Sequence, residues 1–271
     1  MTAQIVSGAV AAPRPAERRV AGFGALVRKD VTEWTRGFRA WVVLAVTTAF
    51  MVLTAANGWI TSQIIAALPE GAEAPAPSSL VPMDNLLAAV GAQIFVLAAI
   101  FAVGSLIVSE RQSGTLAWVA SKPVSRSAIW LAKWASSSAM LAVAAVVLPL
   151  VATVAVVVVL YGAPPVAAVA GFAAGMIALV AFFAAVGLAA GTIVPGQPAV
   201  IAVGFVVFAL LPVIGGILGD AVNALLPTSI LPWFAGLATG MPVGWTTPVA
   251  FAVVTAAVAG LGLYRMNRME L

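Results

Sequence analysis

The sequence predicts an all-α membrane protein with six transmembrane helices, an amphipathic interfacial helix in front of them, and both termini in the cytoplasm. Composition is the first reason. Of the 271 residues, 63% are hydrophobic and only 8% are charged, whereas soluble domains average about 25% charged residues. A soluble fold of this length cannot enclose so much apolar surface, so lipid must be the solvent for most of the chain.

The distribution of cations is the second reason, because it fixes the topology. All 13 Lys and Arg residues fall into three blocks, and the stretches between the blocks contain none. The blocks run from Arg14 to Arg39, from Arg111 to Lys133, and from Arg265 to Arg268. Cytoplasmic loops keep Lys and Arg, whereas short translocated loops lose them. The three blocks therefore face the cytoplasm with a formal charge of +8, and the outer loops carry −4.

Six apolar stretches are long enough to cross the bilayer, since about 20 residues span roughly 30 Å of hydrocarbon. Turn signals at 162–165 and 191–198 divide the long uncharged stretch that follows Lys133. Lys133 inside and Asp220 outside require an odd number of crossings between them. The predicted spans form one transmembrane domain at 41–264 and cover residues 41–66, 85–109, 130–160, 166–190, 199–219 and 246–264.

Residues 23–40 predict an amphipathic helix that lies flat on the inner leaflet, between a cytoplasmic tail at 1–22 and the first span. At about 100° per residue, the apolar face carries Phe23, Leu26, Val27, Val31, Trp34, Phe38 and Trp41, and the opposite face carries Arg28, Lys29, Arg36 and Arg39. Asp30 falls inside the apolar arc, so we expect it to meet a protein partner or to cap a local element. Residues 265–271 form the second cytoplasmic tail.

The cytoplasmic loop at residues 110–128 begins with the most specific motif of the chain, ERQSGTLAWVASKPVSR. Gly114 and Thr115 can separate two helices, since Thr is a favourable N-cap. A helix of one to two turns should follow and stop before Pro123, and Ser125 can cap the third span. So short a helix is not stable alone, and it therefore needs a groove on this protein or on a partner.

This motif resembles the permeases of type 2 ATP-binding-cassette (ABC) exporters. The pattern is E-R-x-x-G-T-L followed by S-x-P-x-S-R at residues 110–126, with a Lys in the next helix, here Lys133. The resemblance implies that the short helix docks in a cleft of a cytoplasmic ATPase. The residues that would carry this coupling are Glu110, Arg111, Gly114, Thr115 and Leu116 at the start and Ser121, Pro123, Ser125 and Arg126 at the end.

The same resemblance implies the assembly. In this family an amphipathic "elbow" helix and six spans make half a transporter, so we expect a dimer with a second permease copy or with a sister subunit. The multi-pass chain would reside in the cell membrane, with both termini in the cytoplasm.

The sequence lacks the motif that binds the phosphates of ATP, so we expect ATP hydrolysis in another chain. No Lys follows a Gly as in G-x-x-x-x-G-K-[ST], so the phosphate-binding P-loop is absent. ATP and Mg²⁺ are therefore expected in a separate P-loop ATPase. The chain has no Cys and no His, and we expect no catalytic residue, cofactor or metal in it. Topology explains the net charge of +4, so no nucleic-acid partner is expected.

The predicted membrane interior favours a hydrophobic or amphipathic substrate. No Asp, Glu, Lys, Arg or His lies in the inner part of a predicted span, although ion-coupled transporters usually keep such a residue there. Asn57 and Gln93 are the possible polar residues of a translocation path. Two alternatives stay open: a secondary carrier or channel that works without an ATPase, and a membrane scaffold whose loop recruits a soluble partner.

Three further patterns concern helix packing and anchoring in the membrane. The G-x-x-x-G motifs at 171–175 and 187–191 in the fourth span predict close helix approach. The segment at 220–245 is too apolar for a free outer loop, so we expect a partly re-entrant or interfacial hairpin. Trp118, like the other Trp residues near span ends or in loops, is expected to anchor in the headgroup layer.

Overall fold

The computed structural model describes residues 22–67, 98–104 and 106–269, and all regular secondary structure in these ranges is helical. The helices are α1 (Phe23–Arg36), α2 (Phe38–Ala66), α3 (Leu106–Gln112), α4 (Thr115–Ala120), α5 (Arg126–Tyr161), α6 (Val166–Ile193), α7 (Gln197–Leu218), α8 (Asp220–Asn223), α9 (Ile230–Ala238) and α10 (Thr246–Arg268). Residues 98–104 are also helical, α5 contains a π-helical turn at Ala142–Val147, and Pro227–Ser229 form a 3₁₀ turn. The prediction of an all-α fold is confirmed.

Five of these helices are long and apolar enough to cross a membrane: α2 over Phe38–Asn57, and α5, α6, α7 and α10 over their whole lengths. They occupy the positions of five predicted spans. The predicted span at 85–109 lies outside the described residues up to residue 97, as do Gln93 and residues 1–21. Its end coincides with the helical segment 98–104 and the start of α3.

The helix α1 packs against the first half of α5 and is separated from α2 by a single residue. Gly37 leaves the helical conformation with φ −83° and ψ 149°, which ends α1 and redirects the chain. Trp34, on the inward side of α1, is only 5% exposed, whereas Phe38 is 81% and Trp41 63% exposed. The predicted apolar face is therefore divided: Trp34 of α1 packs on the protein, whereas Phe38 and Trp41 belong to α2 and are exposed.

Contacts between distant residues give the relative direction of the spans. Thr47 in α2 lies near Ala144 in α5, with 3.5 Å between the Thr hydroxyl and the Ala carbonyl oxygen. Further along both helices, the Tyr161 hydroxyl donates to the carbonyl oxygen of Ala55 at 3.1 Å. The helices α2 and α5 therefore run parallel, and the chain must return to its starting side between them.

The helical segment 98–104 runs in the returning direction. Gly104 contacts the side chain of Val200, near the start of α7, whereas Gly204, further along α7, contacts Ile100. The segment is thus antiparallel to α7. The chain here runs parallel to α6, because Gly187 of α6 adjoins Gly104 and Gly191, further along α6, adjoins Ile107.

The long helix α6 is the centre of the bundle and approaches its neighbours through the predicted glycine motifs. A Cβ atom on Gly171 would lie 2.7 Å from the carbonyl oxygen of Phe234, and one on Gly175 would lie 3.1 Å from the Cα of Leu231. At the other end, a Cβ on Gly191 would lie 3.3 Å from the Cβ of Ile107. Both motifs therefore permit close backbone approach, as their spacing predicts.

The segment at 220–245 folds back onto α6 and is not a free loop. The start of α9, at Leu231, adjoins Gly175, and its end adjoins Gly171, so α9 runs antiparallel to α6. Gly175 lies about 13 Å along α6 at 1.5 Å per residue. The Trp233 indole closes the segment by donating to the carbonyl oxygen of Gly244 at 2.8 Å. This arrangement favours the re-entrant alternative.

Candidate functional site

The 110–128 loop folds as a short helix with one buried and one exposed side. Gly114 precedes α4 with φ 74°, in the left-handed region that favours glycine. Leu116 is fully buried and Val119 is 6% exposed, both within the hydrophobic core of the chain, whereas Trp118 is 63% exposed. The groove that a helix of this length needs is thus supplied by the protein itself, which fixes the direction of the exposed indole.

The structure confirms one of the two helix caps predicted in this loop and contradicts the other. Ser125 caps α5, because its hydroxyl accepts a hydrogen bond from the backbone N–H of Ala128 at 3.1 Å. Thr115, in contrast, is the first residue of α4, and no side chain caps this helix. The predicted Thr cap was wrong because Gly114, in the left-handed conformation, occupies the N-cap position.

The start of the loop is fastened to the connection between α6 and α7. Arg111 donates from Nη2 to the carbonyl oxygen of Val194 at 3.0 Å, and Gln112 donates from Nε2 to that of Pro195 at 3.3 Å. Both acceptors lie just past the last residue of α6, so any displacement of this loop would be felt at the junction of two spans.

The end of the loop is fastened to the end of α10. Arg126 donates from Nη1 to the carbonyl oxygens of Met269, at 2.5 Å, and Asn267, at 3.3 Å. The hydroxyl of Ser127 also hydrogen-bonds the Asn267 side chain. The last span is therefore tied to the same loop, through a guanidinium that uses its donors on backbone within the chain.

A group of charged residues, the elbow cluster (Lys29, Asp30, Glu33, Glu110 and Lys133), joins α1, α3 and α5. Lys133 Nζ lies 2.8 Å from Glu110 Oε1 and 3.8 Å from Asp30 Oδ1. Lys29 Nζ lies 3.1 Å from Glu33 Oε1 and 3.5 Å from Glu110 Oε1. Asp30, the misfit of the apolar arc, thus meets α5 of its own chain. Burial raises the pKa of Asp30 above the ordinary value of a carboxyl group, against the opposing charges of Lys133 and Lys29.

The carboxylates of the elbow cluster have the spacing of a cation site, but lysines already supply the cation. Oxygen atoms of Asp30, Glu33 and Glu110 all lie within 4.8 Å of one another. The ammonium of Lys29 lies within 3.9 Å of each of these three carboxylates. A divalent metal at this point would have to displace that ammonium, so the donor set does not fit a resident metal.

The predicted coupling residues divide by the direction of their side chains. Glu110, Arg111, Leu116 and Arg126 contact or are buried in the chain itself, and Ser125 caps a helix. Gly114, Ser121 and Pro123 are exposed, and Thr115 is half-buried. A role of these residues in coupling to an ATPase stays a prediction.

Two exposed residues of the loop were missed as site candidates. Trp118 was assigned to headgroup anchoring, and Lys122 was given no role. Lys122 Nζ lies 4.7 Å from the centre of the Trp118 ring, so the pair forms one exposed cation–π surface. Burial at positions 116 and 119 of a helix places position 118 on the opposite side, a signal already present in the sequence.

Two polar residues were predicted for the translocation path, and Asn57 is the one that the structure describes. Its side chain is exposed on α2. Its partner in that prediction, Gln93, lies outside the residues that the structure describes. A polar path therefore stays a prediction.

The described residues form an all-helical bundle with five helices of membrane-spanning length, which indicates a multi-pass membrane protein. A family model described as "ABC-2 family transporter protein" matches residues 24–271. The chain therefore belongs to the ABC-2 transporter family, as its motif at 110–126 indicated. It is a membrane subunit of the transport type, a class that is generally non-catalytic. No curated protein shows significant similarity to it.

Proposed function

We propose that the chain is the permease subunit of an ATP-driven exporter and is coupled through residues 110–126 to a separate cytoplasmic ATPase. ATP and Mg²⁺ bind in that partner. The permease has six spans and two cytoplasmic termini, and it works as a dimer with a second copy or a sister subunit. Its substrate is hydrophobic or amphipathic.

The observation that carries this proposal is the fixed presentation of Trp118. The buried side chains of Leu116 and Val119 pack α4 against the protein core. The exposed indole of Trp118 is therefore preorganised for binding. Tryptophan is among the residues most enriched at the energetic centres of protein interfaces. The neighbouring ammonium of Lys122 suits a cleft with an acidic rim.

The parallel packing of α2 and α5 supports the six-span topology. Two parallel spans require a returning crossing between them, and the described segment 98–104 runs in that direction, as its contacts with α6 and α7 indicate. Six crossings return the chain to its starting side. With the positive-inside rule, that side is the cytoplasm.

The walls of the described spans support an apolar substrate. The helices α5, α6 and α7 are strongly apolar, and Lys133, the one charged residue of α5 besides Arg126, lies near the start of that helix. A substrate that enters such a bundle from the bilayer needs no charged partner in its interior.

Replacing Trp118 with alanine should remove the ATPase from the purified transporter. We expect the affinity for the ATPase to fall at least about 30-fold, the loss of about 2 kcal/mol or more that marks an interface hot spot. The measurement is vanadate-sensitive ATP hydrolysis that co-purifies with the tagged permease, together with identification of a P-loop peptide in the sample.

Trp245 provides the matched control. It is 76% exposed but lies at the start of α10, on the opposite side of the bundle from the loop. The W245A variant should retain the ATPase. Equal retention by W118A and W245A would contradict the proposed docking surface.

A further inference from the structure

We propose that Lys133 is a positioning residue that locks α1 to the start of the 110–128 loop, so that the elbow helix and the loop move as one body. This inference rests on the proposed function for its meaning in transport, although the lock itself can be measured without an ATPase.

The geometry of Lys133 suits a lock between two other helices. The ammonium lies 2.8 Å from the Glu110 carboxylate of α3 and 3.8 Å from the Asp30 carboxylate of α1. The side chains of Lys133 and Asp30 are only 6% and 9% exposed, and that of Glu110 is 16% exposed. One cation of α5 therefore stands between two acids that come from different elements.

Burial makes this contact specific. Charges removed from water depend on their partners, because an uncompensated buried charge is strongly destabilising. Without Lys133, Asp30 and Glu110 would repel each other, and separation of α1 from α3 would relieve that repulsion. Lys29 does not replace Lys133 in this role. The Lys29 side chain is 37% exposed, and its ammonium also pairs with Glu33. Screening by solvent weakens such a pair.

The continuation of the chain gives the lock a consequence. The helix α1 is followed directly by Gly37 and then by α2, the first span. A Cβ atom at Gly37 would lie 2.8 Å from the carbonyl oxygen of Glu33, so the compact connection depends on glycine. A partner that moves the loop would thus move α1 through Lys133, and α2 through this one-residue connection.

The loop is already tied to the α6–α7 connection by Arg111 and to the end of α10 by Arg126. The Lys133 contact adds the first span to these elements. It also accounts for Asp30, whose position in the apolar arc the amphipathic pattern does not explain.

The test measures the distance between α1 and the loop. The chain has no Cys, so spin labels can be placed at two exposed positions, A25C on α1 and S121C after α4, in the permease alone in lipid nanodiscs. With Lys133 present we expect a single narrow distance distribution. K133M should lose this narrow peak, and K133R, which keeps the charge, should restore it.

Two further variants make the result decisive. R36M removes an exposed cation of α1 that lies outside the elbow cluster, and it should leave the distribution narrow. If K133M does not fold, E110Q removes the negative charge from the shorter of the two contacts and should broaden the distribution. A narrow peak in K133M, or in E110Q where K133M is lost, would overturn the proposal, as would equal broadening in R36M.

The complex with the ATPase separates positioning from a purely structural role. Trapping with ATP and vanadate should shift the distance between A25C and an outer label, T239C. K133M should abolish this shift while the ATPase is still captured through Trp118, and K133R should restore it. Persistence of the shift in K133M would overturn the lock, whereas failure of the unaltered permease to capture an ATPase would contradict only the proposed function.

Discussion

Replacing Gly175 with leucine should separate α9 from α6 and destabilise the bundle. A Cβ at this position would lie 2.9 Å from Cδ1 and 3.1 Å from Cα of Leu231. The Cα atom belongs to the backbone of α9 and cannot move aside as a flexible side chain could. Overpacking of this kind costs about 1–3 kcal/mol, and we expect the upper end of that range. Thermal unfolding of the purified protein in detergent measures the loss.

Gly260 in α10 provides the matched control. A Cβ there would meet no atom within 4 Å, so G260L adds the same side chain in open space. Its unfolding temperature should equal or exceed that of the unaltered protein, because leucine is a better helix former than glycine. Similar losses in G175L and G260L would mean that α9 does not pack on α6 as described.

Replacing Leu116 with alanine should release α4 from the protein. Leu116 is fully buried, and truncation of a buried Leu costs about 2–5 kcal/mol. A helix of six residues has little stability of its own, so the loss should appear locally. We expect the backbone amides of α4 to exchange with deuterium at least about 30-fold faster, as a loss of about 2 kcal/mol implies.

Two variants of the same helix control this experiment. W118A truncates an exposed side chain and should leave the exchange of α4 unchanged, although it removes ATPase capture. L116M conserves volume and should cost less than about 1.5 kcal/mol. Exchange that is equally fast in W118A and L116A would contradict the division of α4 into a buried and an exposed side.

Local signals in the sequence predicted the local structure well. The short helix before Pro123 and the Ser125 cap follow from preferences that act over a few residues. The glycine motifs of α6 predicted close approach for the same reason, since only the missing side chains matter. The positions of the five described spans follow from runs of apolar residues, which the bilayer requires.

Contacts between distant residues could not be predicted in this way. Periodicity showed that Asp30 lies on the apolar face of α1, but not that Lys133 and Ser136 of α5 lie opposite it. Arg126 was expected to face a partner, yet it donates to backbone 143 residues further along the chain. A positive charge in a cytoplasmic loop satisfies the topology rule whether it points to water, to a partner or to its own chain.

The 110–128 loop shows how one wrong assignment arose from a correct pattern. Thr115 is a good N-cap residue type, but Gly114 takes that position in a conformation that favours glycine. Trp118 was assigned to headgroup anchoring because it lies near a span end. That assignment did not take into account that Trp118 lies on the exposed side of α4.

Coupling to a cytoplasmic ATPase requires the 110–128 loop to face the cytoplasm. The reactivity of a single introduced thiol can show on which side of the membrane the loop lies. The chain has no Cys, and both Ser121 in the loop and Thr239 after α9 are exposed. A membrane-impermeant maleimide should label S121C only in inside-out vesicles and T239C only in right-side-out vesicles. Labelling of S121C in sealed right-side-out vesicles would place the loop outside the cell, where no cytoplasmic ATPase could reach it.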